Sequence, residues 1–293
     1  MTLNKRLSIL SNAKPEHLRL HPFPHLVIEN ALDAEIYAEL NANYPSDALV
    51  VNGRPIVDTW YDYPACKVVH DERVAPIWRD FFSYHTSADF FTELVALTGE
   101  TLRRINPRLE SQVGRPLEQF RVGMRPGGKE DTLAEGADVS MECQFYVNYT
   151  QKARTVRGPH VDRPSELFAA LLYFRQPEDD SQGADLAICE ATAPIFKSPH
   201  RVKISKLPAE IDDNLVNTVS TARYQANTLV LFLNSAASIH AVTPRTPTPL
   251  TRRHINFCCD VPVPLFELDY PARLAVKRKL ESVPGGWRVS KYL

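Results

Sequence analysis

His160-Val161-Asp162 places an imidazole and a carboxylate two residues apart. On extended backbone, residues i and i+2 point to the same side, so the two side chains converge. A distant histidine completes a 2-His-1-carboxylate set, which leaves positions open on Fe(II) for a cosubstrate and O₂. His240 lies 80 residues on, after an apolar strand expected over 228–233 and the turn Asn234-Ser235. The next strand opens with Arg252-Arg253. A cation there suits the far carboxylate of a dicarboxylic cosubstrate. A His-x-Asp tripeptide alone is weak evidence in a chain with 9 histidines. His70-Asp71-Glu72 competes with it, but it leads into a helix expected over 75–82, where i and i+2 diverge by about 200°.

These residues sit in a chain of 293 with 44% hydrophobic and 24% charged residues, the balance of a globular protein and not of a disordered one. Lys+Arg is 34 against Asp+Glu 35, so nothing draws the whole chain toward nucleic acid or an anionic membrane. Its apolar runs fall well short of the ~20 residues a spanning helix needs. The start, MTLNKRLSIL, lacks the apolar stretch of a secretory leader, so a cytoplasmic location is expected. The five cysteines, Cys66, Cys143, Cys189, Cys258 and Cys259, form no CxxC pair and read as reduced thiols. Proline at 23 against glycine at 11 implies loops with fixed φ.

The elements that must position the site change character along the chain. The first ~110 residues read as mainly helical after an extended entry at Leu26-Val27-Ile28. Asp33 is a candidate N-cap for a helix carrying Ile36, Tyr37, Leu40 and Tyr44. A second helix follows Thr86-Ser87, with Phe91, Leu94, Val95, Thr98, Leu102 and Ile105 at helical spacing and Pro107 to stop it. These stripes read as plain core. After residue 140, short β-branched or aromatic runs alternate with turn residues, at 142–149, 167–175, 185–190, 201–205, 215–221, 228–233 and 252–260. That spacing suits a β-sandwich or barrel and lacks the helical crossovers of a parallel α/β sheet. A charged helix is expected over 270–281, ahead of Pro284-Gly285-Gly286. With no linker in view, the chain reads as one domain. Residues 1–139 form a helical support, 140–262 a core carrying the metal site, and 263–293 a C-terminal helical tail.

The stretches YTQKARTVRGPHVD, LFAALLYF, GADL and SIHAVTPRTPTPLTRRHINF, in this order and spacing, resemble the 2-oxoglutarate/Fe(II)-dependent dioxygenase superfamily, particularly its prolyl-hydroxylase-like branch. The resemblance covers about residues 140–260, and HPFPHLVIENALDAEIYAEL resembles the usual lead-in. It implies an α+β fold, a double-stranded β-helix (jelly roll) with N-terminal helices packed on one sheet. It implies Fe(II) held by His160, Asp162 and His240, with 2-oxoglutarate and O₂ as cosubstrates. The family's basic residue follows the distal His by roughly ten positions. Here Arg252 and Arg253 follow by 12 and 13. Strand alternation favours Arg252: if it points inward, so do His254, Asn256 and Cys258, while Ile255 and Phe257 face the helices. Tyr149 and Tyr173 occupy places where relatives have tyrosines near the cosubstrate. Gly183-Ala184 stands for a frequent Gly-Gly pair, and a turn into a strand is expected there. Retention of Asp162 argues for hydroxylation over halogenation, with desaturation or cyclisation left open.

Arg154, Arg157 and Arg163 flank the motif and read either as solvent-facing charge or as anchors for an acidic group. His254 and Asn256 are further candidates to touch substrate. Residues 123–136, GMRPGGKEDTLAEG, read as a polar loop able to cover the site. The leading expectation is a hydroxylase of a small-molecule metabolite that releases succinate and CO₂. The alternatives are the same chemistry on a protein or peptide side chain, an iron-free jelly-roll binding module and, more distantly, a zinc hydrolase. Substrate identity and oligomeric state, including a homodimer, are left open.

Overall fold

The computed structural model describes residues 5–57, 59–127, 133–153, 157–206 and 209–281. The described residues hold seven α-helices: α1 (Ala34–Ala42), α2 (Asp47–Val51), α3 (Ala65–Val68), α4 (Pro76–His85), α5 (Ala88–Ile105), α6 (Leu109–Val113) and α7 (Ala272–Glu281). Local chemistry sets their ends. Asp33 Oδ1 accepts from the Glu35 N–H at the start of α1, and Ser87 Oγ accepts from the Phe90 N–H at the start of α5. Each satisfies a donor that the first helical turn leaves without a partner. Helix α5 ends at Ile105, just ahead of Pro107. Its buried stripe of Phe90, Phe91, Leu94, Val95, Thr98 and Leu102 follows the helical period.

The strands are β1 (His25–Glu29), β2 (Trp60–Pro64), β3 (Val122–Met124), β4 (Val139–Asn148), β5 (Glu166–Tyr173), β6 (Leu186–Ala191), β7 (Phe196–Ser198), β8 (Arg201–Lys203), β9 (Val216–Ala222), β10 (Thr228–Leu233), β11 (His240–Val242), β12 (Arg252–Asp260) and β13 (Glu267–Asp269). The large sheet runs β1-β10-β5-β12-β4-β2, with β3 joining β4 in parallel. A second sheet runs β11-β6-β9, and His160 bridges to β11 at His240. A small sheet, β13-β8-β7, completes the set. From β5 onward the chain passes back and forth between the two main sheets, with β5 in the large one, β6 and β9 in the second, β10 in the large, β11 in the second and β12 in the large, which is the winding of a double-stranded β-helix. The fold is α+β, with N-terminal helices against the large sheet.

Strand alternation separates two cores. On one face of the large sheet, Phe145, Leu172, Ile255 and Phe257 are buried in the cluster that takes in the helices. Trp78 of α4 packs its ring on Tyr44, Phe81, Phe145 and Phe174 at 4.7–5.6 Å, and its Nε1–H donates to Leu40 O at 3.0 Å. Burying side chains of this size contributes roughly 1.5–3 kcal/mol each. On the other face, Ala169, Tyr173, Val230 and Phe232 meet Leu186 and Ile188 from the second sheet and Tyr224 just past β9.

Three local features depart from the sequence pattern. Within the mainly helical N-terminal region, Trp60–Pro64 pairs with β4 as an edge strand. Part of the expected loop over 123–136 is strand, since Val122–Met124 pairs with Val139–Met141. Residues 128–132 of that loop lie outside the described residues, as do Arg154 and Pro284-Gly285-Gly286. The His160 tripeptide belongs to no regular strand. His160 forms an isolated bridge, donating its N–H to His240 O at 2.9 Å and accepting from His240 N–H at 3.0 Å.

Candidate functional site

That reciprocal bridge sets the distal histidine beside the tripeptide. The two imidazole centroids are 4.1 Å apart. Each ring has its Nδ1 on a carbonyl of its own loop, His160 on Gly158 O at 2.8 Å and His240 on Ser238 O at 3.0 Å. A carbonyl only accepts, so both Nδ1 atoms carry the proton and both Nε2 lone pairs are left bare. Those lone pairs face one carboxylate. His160 Nε2 lies 3.7 Å from Asp162 Oδ1, and His240 Nε2 lies 3.6 Å from Asp162 Oδ2. One ligand atom from each of the three residues lies within 4.8 Å of the others.

Protonation does not relieve this crowding of acceptors. Burial, then His240 and Arg157, holds the His160 pKa well below its ordinary value. Burial also lowers His240, against the opposing pull of Asp162. Two neutral imidazoles and a carboxylate aimed at a common point repel one another unless a cation sits between them. The donor set is that of a 2-His-1-carboxylate metal site. The residues fit Fe(II): two nitrogens, one carboxylate and free space on the remaining side.

That space is a cavity of about 370 Å³. The metal residues stand on its wall beside the apolar Ala169, Leu171, Leu186, Phe232 and Val242. Arg252, His254 and Asn256 enter it from alternate positions of β12, with Trp60, Tyr146, Arg157 and Glu210 around them. Arg252 is 3% exposed. Its Nε–H donates to Ala184 O at 3.1 Å, its Nη1 lies 3.1 Å from His254 Nδ1, and its Nη2 donates to the Tyr173 hydroxyl at 3.3 Å. The guanidinium also lies over the Tyr173 and Tyr224 rings, at 5.0 and 5.2 Å. Three of its five N–H donors are thus committed. Among the described residues it makes no ion pair.

The candidates named from sequence separate by strand face. Arg253 points away from the cavity: it pairs with Asp47 at 3.0 Å and lies over the Tyr44 ring at 5.1 Å. Its suggested contact with the cosubstrate is therefore withdrawn. Tyr149 lies beyond the end of β4 and packs edge-on against Tyr61, outside the cavity wall. Tyr173 is fully buried and meets the cavity through Arg252. Arg157 approaches Asp162 Oδ1 at 3.6 Å. Arg163 instead binds Glu166 at 2.7 Å and Asp260 at 3.2 Å and lines a neighbouring cavity. Tyr146, Trp60 and Glu210 also line the cavity, and no sequence motif points to them. Tyr146 lies on β4 opposite His254 and shares its face, a pairing between strands distant in the chain. Trp60 and Glu210 come from an edge strand and a loop, with no local pattern to mark them.

Among solved structures, the chain is similar to a prolyl-4-hydroxylase from Pseudomonas putida, at 14% identity over 82% of this chain and 93% of that one, with a TM-score of 0.41. It is also similar to a prolyl 4-hydroxylase structure from Phytophthora capsici, at 15% identity over 89% and 67%, TM-score 0.43. HygX from Streptomyces hygroscopicus, with nickel and 2-oxoglutarate bound, gives 11% identity over 81% and 83%, TM-score 0.35. No family model and no curated protein matches the chain. Likeness at this level assigns no residue a role. No helix among the described residues is long and apolar enough to cross a membrane.

Proposed function

We propose that this chain is an Fe(II)- and 2-oxoglutarate-dependent oxygenase that hydroxylates a C–H bond of a small molecule, with succinate and CO₂ as coproducts. The observation that carries the reading is Arg252. A buried guanidinium with no carboxylate partner among the described residues shares one cavity with three metal-ligating side chains. A buried charge without a counter-ion is costly, and an incoming carboxylate removes that cost. A ligand that reaches both Arg252 and the metal residues needs a carboxylate at one end and a chelating group at the other, which describes a dicarboxylic keto acid.

Bound Fe(II) would supply keto-acid chelation and oxygen activation, for which three protein ligands leave positions free. The protein's own residues do the rest. The Gly158 and Ser238 carbonyls hold the imidazole tautomers. Arg252 keeps two N–H donors for the distal carboxylate, and a fork of this kind binds carboxylate bidentately. His254 Nδ1 and the Tyr173 hydroxyl fix the guanidinium plane from two sides. Leu171, Phe232 and Val242 keep this part of the cavity apolar and limit water near the reacting groups.

The test is anaerobic titration of Fe(II)-loaded protein with 2-oxoglutarate, followed by visible absorption. A weak charge-transfer band is expected with the wild type, and a band only at much higher keto-acid concentration with Arg252→Gln. Iron binding without any band would refute the keto-acid reading. Absence of metal binding would refute the oxygenase reading altogether.

A further inference from the structure

A second cavity of about 700 Å³ meets the first at Tyr146, which lines both. The inward face of β4 runs from Tyr146 through Gln144 to Glu142, in steps of about 7 Å. Gln144 Oε1 accepts from the Asn256 amide at 3.4 Å, so the two cavities share a polar seam.

At the far end stand a carboxyl group, Glu142, and a guanidinium, Arg125. Glu142 is 2% exposed. Its Oε1 accepts the N–H groups of Ala65 at 3.2 Å and Cys143 at 3.0 Å, while among the described residues Oε2 accepts none. Arg125 comes alongside because its backbone N–H extends the β3–β4 pairing, donating to Met141 O at 2.8 Å. Its Nη2 pairs with Asp260, but its Nε is buried without a hydrogen-bond partner. Lys67 stands exposed at the rim and makes no ion pair among the described residues.

The Arg125 Nε–H, buried without a partner, penalises the ligand-free state, and Glu142 Oε2 has acceptor capacity to spare among the described residues. A simple anion would satisfy Arg125 and leave Glu142. A simple amine would do the reverse. A ligand with an ammonium and a carboxylate a few ångströms apart satisfies both. We infer that this cavity binds the α-ammonium and α-carboxylate of a free amino acid, whose side chain extends past Gln144 and Tyr146 toward His160, Asp162 and His240. Four residues of strand separate Glu142 from Tyr146, about 14 Å, which favours a long side chain. The inference names the substrate class for the oxygenase reading and rests on that reading.

The experiment is calorimetric titration of the full-length protein, without added metal, with each of the twenty standard L-amino acids. The tightest one is then compared with its des-amino acid and its decarboxylated amine. The amino acid should bind at least tenfold more tightly than either analogue. Glu142→Gln should erase its advantage over the des-amino acid. Arg125→Lys keeps a charge beside Asp260 but lacks the Nε donor, and it should erase the advantage over the amine. No binding by any of the twenty, or equal affinity across the three wild-type ligands, overturns the inference. The wild-type comparison stands even if a variant fails to fold. A keto-acid band without amino-acid binding sinks this inference alone, and amino-acid binding without a band sinks the oxygenase reading alone.

Discussion

Arg252 and His254, two residues apart on β12, share one hydrogen bond inside the cavity lined by His160, Asp162 and His240, with Nη1 at 3.1 Å from Nδ1. Burial, then the Arg252 charge, holds the His254 pKa well below its ordinary value, so its Nδ1 stays an acceptor. The histidine thereby orients a guanidinium without neutralising it. A carboxylate in place of His254 would have paired with Arg252 and taken up its charge.

The two neighbouring arginines should differ sharply. Losing one partner of a buried, hydrogen-bonded charge pair costs about 2–5 kcal/mol. Arg252→Ala should therefore weaken 2-oxoglutarate binding by more than about 30-fold. Arg253→Ala should change it less than threefold, since that side chain faces Asp47. Anaerobic binding titrations would decide, and the reverse order would mean that the strand phase is wrong.

Asp162→Asn should abolish Fe(II) binding and yet raise the melting temperature of the metal-free protein. The carboxylate faces two bare Nε2 lone pairs at 3.6 and 3.7 Å, whereas an amide can donate to one of them. Its lost attraction to Arg157 is small, because that pair is partly solvated. Each kcal/mol gained shifts the midpoint by roughly 2–4 °C in a chain of this size. A lower melting temperature, or retained metal binding, would contradict the repulsion argument.

Glu142 should contribute stability that fades as pH rises from about 4.5 to 7, opposite to the trend from buried His160, His240 and His254, whose lowered pKa values favour the folded chain as pH rises. Burial, opposed by Arg125, pushes the Glu142 carboxyl from 4.5 up to about 7. The folded chain then keeps a proton that the unfolded chain has released, so this contribution weakens with rising pH and levels off above about 7. The effect is about 3 kcal/mol for this group. Burial, then Asp162, raises Glu166 in the same direction to about 7. Urea melts from pH 5 to 8 should show the stability of the wild type relative to Glu142→Gln declining as pH rises, and a difference independent of pH would rule out a buried acid at Glu142.

The turn that supplies Ala184 O to Arg252 should be sensitive to side-chain size. Gly183 has φ +77°, and a Cβ there would collide with the Pro244 carbonyl. Ala184 also has a positive φ, +65°. Gly183→Ala should destabilise the fold and weaken keto-acid binding together. Ala184→Gly should leave binding intact and stabilise by up to ~1 kcal/mol, since glycine adopts this backbone without strain. Thermal melts paired with binding titrations test both, and a Gly183→Ala protein with wild-type binding would detach the turn from Arg252.

The amino-acid sequence by itself determined whatever depends on short-range geometry. Side chains alternate strictly along a strand, so writing Arg252 inward also placed His254 and Asn256 inward and Ile255 and Phe257 on the helices. Asp33 and Ser87 marked helix starts because their oxygens reach donors only a few residues away. The tertiary structure decided what depends on segments distant in the chain. The bridge between His160 and His240 brings the two imidazoles together, and it forms across 80 residues. Arg163 turned to Asp260 and not to the metal cavity because β5 and β12 pair where that carboxylate emerges. Trp60 reached the site through an edge strand whose pairing to β4 no local pattern marks. Glu142 and Arg125 became neighbours through the parallel β3–β4 pair. Such contacts arise from which backbones meet across the sheet, and that is settled by burial of the whole set of elements and not by residues near in sequence.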